Sequence, residues 1–464
     1  MRLFLAICLL CVCTPDALAQ LSQVQVQKLD SLFLEWNQPN HPGGSVGVMQ
    51  NGQIIYSSAF GLASLEYLVP NNTNTIYNIA SVSKQFTSMG ILILEQQGKL
   101  SIDEDIRTYL PDLPDFGEKV TLRHCMHHTS GMRSLHALLG MAGWRGDDTR
   151  TNADLFRFMK KQKELNFKPG ERYLYCNTGY MLMADIIEKI SGETFPVWMK
   201  KNVFQPLGMI DTYVAERYNS VVPGNATSYL RSGDEGFSRA IDFWDYIGSG
   251  NMHATTRDLL NWMENYHRPT EDWAPLFERM KTTDLLNNGD RLDYAFGVGT
   301  SDYKGEKRIS HGGSIGGFRS HVATFPQHQL NIVVLTNFSA GNAGGKTYKI
   351  ADILLDKAEI PQPEREEDTK PVPLSLTTKQ LQAYEGTYYS DELDTQYHFY
   401  VKDGELMGNH TRHGDFAIQI MKVDELEATL GIFRNIKIKR RTSGEVEGIY
   451  VSNGRVRNMW FVKR

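Results

Sequence analysis

The chain has 464 residues, 22% of them charged, and a formal net charge of −5. A mildly acidic chain with no basic stripe interleaved with aromatics argues against a nucleic-acid partner. The length allows a large core and is enough for two domains.

Arg2, the apolar run Leu3 to Cys13 and the small residues of Ala17-Leu18-Ala19 before Gln20 have the layout of a secretory signal peptide. The run is too short to cross a bilayer, and no later stretch is long and apolar enough. Residues 1–19 are therefore expected to be a leader. The remainder is expected to be exported to the periplasm or beyond, without stable membrane insertion. Of five cysteines only Cys125 and Cys176 lie past the leader. Two are too few for a disulfide framework, and both read as small buried residues.

Two short apolar runs, 44–49 and 54–60, flank Asn51-Gly52, a strong hairpin turn signal. Apolar residues Phe86, Met89, Leu92 and Ile93 give 81–97 a helical period. Further helices are predicted over 180–190, ended by Gly192, and over 256–266, with Asp258 in the first turn. Strand-like runs follow at 294–299, 319–325 and 330–337. The segment 360–375 is rich in proline and charge and reads as a stiff linker. Beyond it the period changes to two, with strands predicted at 384–388, 397–401, 417–421, 436–439, 449–451 and 459–462. Asp403-Gly404 and Asn453-Gly454 are read as hairpin turns. The aromatics of this part (Tyr388, Tyr389, Tyr397, Phe399 and Tyr400) fit core packing better than a ligand cavity. The organisation is thus an α+β domain over 20–359, a linker, and a small all-β barrel over 376–464.

Three constellations carry chemistry. Ser81-Val82-Ser83-Lys84 follows apolar Ile79-Ala80 and opens a helix. The hydroxyl then sits at the positive end of the helix dipole, with the lysine one turn along. Burial would lower the lysine pKa and let a neutral amine take the serine proton. The same residues also fit a serine cap followed by a solvated lysine. A second Ser-x-x-Lys, Ser301 to Lys304, lies in a polar stretch with no helical period. Tyr175-Cys176-Asn177 follows the turn Pro169-Gly170 and precedes a helix. Residues at i and i+2 of a loop can aim a proton relay and an amide at one pocket. His311-Gly312-Gly313-Ser314 lies between strand-like residues, where glycine lets another backbone approach closely.

Taken in this order, the three motifs resemble the serine β-lactamase and penicillin-binding-protein superfamily. The resemblance is to its class C β-lactamase-like branch, with D-aminopeptidases, D-alanyl-D-alanine carboxypeptidases and esterases. His128-Thr129-Ser130-Gly131 and the stretches 167–179 and 248–259 extend the resemblance over about residues 25–355. It implies a β-lactamase/transpeptidase-like fold, an antiparallel sheet flanked by helices plus an all-helical region. The part after the linker resembles the lipocalin-like domain often appended to such enzymes. The implied catalytic residues are Ser81 as nucleophile, with Lys84 and Tyr175 handling its proton and that of the leaving group. The implied substrate-binding residues are Asn177, His311, Gly313 and Ser314, with the backbone N–H groups of Ser81 and Ser314 as an oxyanion hole. His311 stands where penicillin-hydrolysing relatives usually carry lysine. A histidine is a weaker, pH-dependent cation, which points towards D-amino-acid peptides, amides or esters. A true β-lactamase and a penicillin-binding receptor with slow turnover are the alternatives.

The implied partner is a small molecule or short peptide; no cofactor or metal is called for, and no feature sets an oligomeric state. Gly312 to Gly316 also matches Gly-x-Ser-x-Gly, but no helix starts after it, as a nucleophile elbow requires. His124, His127, His128 and His136 cluster without the glutamate of His-Glu-x-x-His, so they are not read as metal ligands. The stretch 132–165, with Trp144 and Asp147-Asp148, is expected to form part of the pocket wall.

Overall fold

The computed structural model describes residues 21–233, 236–358 and 372–464. The leader-like residues 1–19 and most of the proline-rich linker lie outside these ranges.

Asn51 and Gly52 both adopt positive φ (51° and 76°), the requirement of a tight type I′ turn, and they join strands β1 (Gly44–Gln50) and β2 (Gln53–Phe60). Four further strands complete the sheet: β3 (Gly299–Tyr303), β4 (Glu306–Ile315), β5 (Phe318–Phe325) and β6 (Leu330–Thr336). The order is β3-β4-β5-β6-β1-β2 and every pairing is antiparallel. The strand expected at 294–299 instead begins at Gly299, and Tyr294 makes only an isolated bridge to it. Gly297, at φ 83°, breaks the extended run.

The sheet is covered on both faces. Val46, Val48, Ile332 and Val334 pack with Leu29, Phe33 and Ile350 on one side. The helix Thr256–Glu264 lies on the other, where a Cβ on Gly47 would stand 2.8 Å from the Leu260 side chain. Beyond it lies a helical region centred on Lys84–Gln96, whose residues 84–94 are all buried. A helix with no exposed face belongs to a core. It packs on the helix Asn177–Ser191, which ends at Gly192 in the left-handed conformation, as predicted. The helix expected from Ser81 begins with one 3-10 turn, Ala80–Ser83.

The chain after the linker forms a closed, antiparallel eight-stranded barrel from Gly386–Ser390 to Met459–Lys463. Strands at Glu405–His410 and Glu425–Ala428 join the six predicted ones. Tyr388, Tyr397 and Phe399 fill the interior, and Tyr397 stacks on Phe433 with ring centroids 3.9 Å apart. Asp403-Gly404 makes the expected tight turn, with both residues at positive φ. Asn453-Gly454 does not. It opens the six-residue loop 453–458, because the Asn453 side chain accepts the N–H groups of Arg455 and Val456 at 2.9 Å and turns the chain outward.

Among the described residues no helix is long and apolar enough to cross a membrane. Cys125 and Cys176 are both buried, and neither is bonded to another cysteine among the described residues.

Candidate active site

Ser81 sits in a strained turn. The preceding Ala80 has φ 47°, unfavourable for a residue with a Cβ, and is held there by its N–H donating to the Asn78 side chain at 2.9 Å. Its carbonyl neighbour Ile79 accepts the Ser320 hydroxyl of β5 at 2.7 Å, which ties the turn to the sheet. Strand β4 passes so close that a Cβ on Gly313 would meet the Ile79 carbonyl and the Ser320 hydroxyl oxygen, each at 2.3 Å. Gly313 is therefore required by close approach, whereas a Cβ on Gly312 would meet nothing nearer than 3.5 Å.

The Lys84 amine is fully buried. It lies 3.1 Å from the Ser81 hydroxyl and donates to the Ser249 carbonyl at 2.7 Å. Burial, and then the Arg455 guanidinium, hold its pKa well below the ordinary lysine value. A neutral amine beside a hydroxyl can take its proton. The second Ser-x-x-Lys has no such surroundings: Ser301 lies on β3, and Lys304 pairs with Asp352 at 2.7 Å.

Tyr175 completes the first group, with its ring 4.9 Å from the lysine amine. Burial pushes its phenol above the ordinary tyrosine value, and the neighbouring Ser81 hydroxyl acts the other way. The Tyr175 loop is held by His128, at φ 58°, whose Nδ1 accepts the Cys176 N–H at 3.0 Å and whose ring packs 4.1 Å from that of Tyr175. This is the physical role of the His-Thr-Ser-Gly segment. Asn177 starts the next helix and leaves its side-chain oxygen buried without a partner among the described residues.

Ser81, Tyr175, Asn177, His311, Gly313 and Ser314 line one cavity of about 750 Å³. All seven predicted site residues are thus gathered, with Lys84 behind Ser81. His311 differs from expectation in its charge. It is 9% exposed, its Nδ1 faces the Gly312 carbonyl at 2.6 Å, and its Nε2 lies 3.0 Å from the Tyr294 hydroxyl. Burial and Lys84 lower its pKa to about 3, so it is a neutral imidazole rather than a cation.

One expectation is corrected: no residue of 132–165 lines this cavity. Trp144 and Asp148 are absent from the lining of this cavity. Trp144 packs on Phe158 and lines a separate cleft beside barrel residues Leu393 and Asp394, and Asp148 pairs with Arg412 of the barrel at 2.7 Å. That stretch carries the barrel instead, because its outward face meets the barrel wall. Conversely, sequence reasoning missed Arg455, which lines the Ser81 cavity from loop 453–458. One arginine after an Asn-Gly pair carries no local signal.

A nucleophile turn, a buried lysine and a β-strand edge around one cavity define a serine hydrolase site on an α+β fold. The chain belongs to the Beta-lactamase family, whose model matches residues 22–356. It is 28% identical over 384 residues to penicillin-binding protein 4* of Bacillus subtilis, covering 79% of this chain and 84% of that one. It is 28% identical over 356 residues to a D-aminopeptidase of Gluconobacter oxydans, covering 76% of this chain and 63% of the relative. The chain thus spans under two thirds of that D-aminopeptidase. The fold matches the octameric penicillin-binding protein homologue from Pyrococcus abyssi, with TM-score 0.63 and 23% identity over 95% of this chain and all of that one. It also matches the D-amino acid amidase of Ochrobactrum anthropi, with TM-score 0.59 and 20% identity over 72% of this chain and 99% of that one.

Proposed function

We propose that the chain cleaves amide or ester bonds through an acyl-enzyme on Ser81, acting on D-amino-acid peptides or small esters. The observation that carries the reading is the fully buried Lys84 amine 3.1 Å from the Ser81 hydroxyl. Neutral Lys84 takes the hydroxyl proton as Ser81 Oγ attacks the carbonyl carbon. The N–H groups of Ser81 and Ser314 receive the developing oxyanion, and the partnerless Asn177 oxygen accepts an N–H of the acyl part. Tyr175 keeps its proton at working pH and delivers it to the leaving group, while Lys84 restores the phenol. Water enters once the leaving group has gone and hydrolyses the ester by the reverse proton path.

The relatives named for D-amino-acid substrates support the D-peptide reading. Against a true β-lactamase stands His311, neutral where penicillin-hydrolysing relatives carry a lysine. The test is a p-nitrophenyl ester assay with intact-mass detection of the acyl-enzyme. Steady turnover that Ser81→Ala abolishes is expected. A single burst with no steady state would favour a receptor, and rapid nitrocefin hydrolysis would sink the reading of His311.

A further inference from the structure

Among the described residues lining the Ser81 cavity there is no aspartate or glutamate, and there are two arginines, Arg319 and Arg455. Arg319 is already engaged: its guanidinium donates to the carbonyls of Gly316 at 2.8 Å and Phe318 at 2.7 Å. Arg455 is different. Its guanidinium lies 5.0 Å from the centroid of the Tyr175 ring and, among the described residues, makes no ion pair or hydrogen bond. It is a permanent cation with donors to spare, facing the cavity.

The position of this cation is built by both domains. Asn166 clamps the loop, donating to the Arg455 carbonyl at 3.2 Å and accepting the Arg457 N–H at 2.7 Å. Beneath it Arg133, 1% exposed, pairs with Glu392 of the barrel at 2.8 Å and donates to the Arg457 carbonyl at 3.2 Å. A loop pinned at the backbone of Arg455 and Arg457 carries the Arg455 side chain to the wall of the Ser81 cavity.

We infer that Arg455 is the anion-binding residue of this active site, holding a carboxylate on the leaving portion of the substrate. The inference rests on the acyl-enzyme reading above. The leaving side follows from the stacking on Tyr175, the group that hands its proton to the departing atom. Arg455 supplies from the barrel the charge that neutral His311 does not supply from β4. The substrate class follows as well. A peptide ending in a free carboxylate finds a cation, whereas one presenting a free ammonium finds repulsion and no acidic partner. The barrel is thereby part of the specificity apparatus.

The test uses the full-length protein and two aryl esters of N-acetyl-D-alanine, with 3-hydroxybenzoate or 3-hydroxybenzamide as leaving group. The readout is the ratio of their kcat/KM values, which cancels any general loss of rate. Wild type is expected to favour the carboxylate by roughly 10- to 100-fold, the worth of a charge-assisted hydrogen bond. Arg455→Gln should bring the ratio near one, and Arg455→Lys should keep part of it. A wild type with no preference overturns the inference without recourse to any variant. So does an unchanged ratio in Arg455→Gln, and if Ser81→Ala is inactive in that case the proposed function still stands. Full ester turnover by Ser81→Ala overturns the proposed function itself.

Discussion

Lys84 approaches Ser81 from the next turn of the same segment, its amine 3.1 Å from the hydroxyl and wholly removed from solvent. An amine so placed is useful only while neutral, and its neutrality is a matter of surroundings. Burial supplies most of the shift and Arg455 adds to it. Replacing Lys84 by methionine, which keeps most of the volume, should lower kcat by roughly 100- to 10,000-fold, the usual worth of a general base. Ester kinetics on a variant of unchanged melting temperature would check this. Near-normal turnover would exclude Lys84 as the base.

The pH profile follows with a definite sign. A lysine whose pKa is lowered is neutral above that value, so kcat/KM should fall as pH drops through it. Removing a nearby cation lets the protonated amine form more easily. Arg455→Gln should therefore move the acid limb to higher pH, and the pH dependence of the uncharged ester would show it. A shift to lower pH would contradict the electrostatic coupling.

Gly313 and Gly312 make a matched pair. Alanine at 313 would press a methyl group against the Ile79 carbonyl, so β4 must retreat from the nucleophile turn. Displacing the edge by a fraction of an ångström should cost kcat/KM about 100-fold or more, as such misplacements do. Alanine at 312 has room and should stay within a few-fold of wild type. Equal effects of the two would remove close approach as the reason for Gly313.

Arg133 and Glu392 form an ion pair with 1% and 8% of their side chains exposed, joining the first domain to the barrel. Truncating one partner leaves the other charge buried, which costs about 3–5 kcal/mol. Arg133→Met should lower the unfolding free energy by that order. It should also weaken the carboxylate preference, since the loop bearing Arg455 loses its support. Chemical denaturation together with the ester ratio would separate the two effects. A stability loss with an unaltered ratio would show that Arg133 does not position the loop.

His136 has both ring nitrogens buried without partners among the described residues, and burial lowers its pKa to about 3. The ring packs 4.7 Å from that of Tyr246. In the unfolded chain it takes up a proton near its ordinary value of 6.5. Its contribution is thus fully present above pH 6.5 and is lost as pH falls towards 3. His253 and His311 share this direction. His136→Phe should leave stability at pH 7 equal or higher by about 1 kcal/mol. The variant should gain further on wild type at pH 5. Melting curves at the two pH values test this, and a parallel loss at both would refute it.

Local chemistry was legible wherever a short stretch carries its own physics. Asn51-Gly52 and Asp403-Gly404 need positive φ at both residues and make tight turns in any context that permits a hairpin. Gly192 stops a helix for the same reason. The spacing of Ser81 and Lys84 puts them one turn apart whatever surrounds them. The first strand of β4's neighbour pair was misplaced because Gly297 interrupts a run that hydropathy alone reads as continuous. Asn453-Gly454 misled in the opposite way. The Asn453 side chain captured the following N–H groups, and the pair opened a loop where a tight turn was expected.

The sequence by itself determined many of the elements, the Asn51-Gly52 and Asp403-Gly404 turns, the three motifs and the family they resemble, because these depend on residues a few positions apart. Only the tertiary structure decided the charge of the site. Lys84 is made neutral by enclosure and by the nearby Arg455 guanidinium, His311 by its own burial, and Arg455 arrives on a barrel loop hundreds of residues away. Protonation follows local dielectric and distance, and both are properties of segments that meet only when the chain has folded.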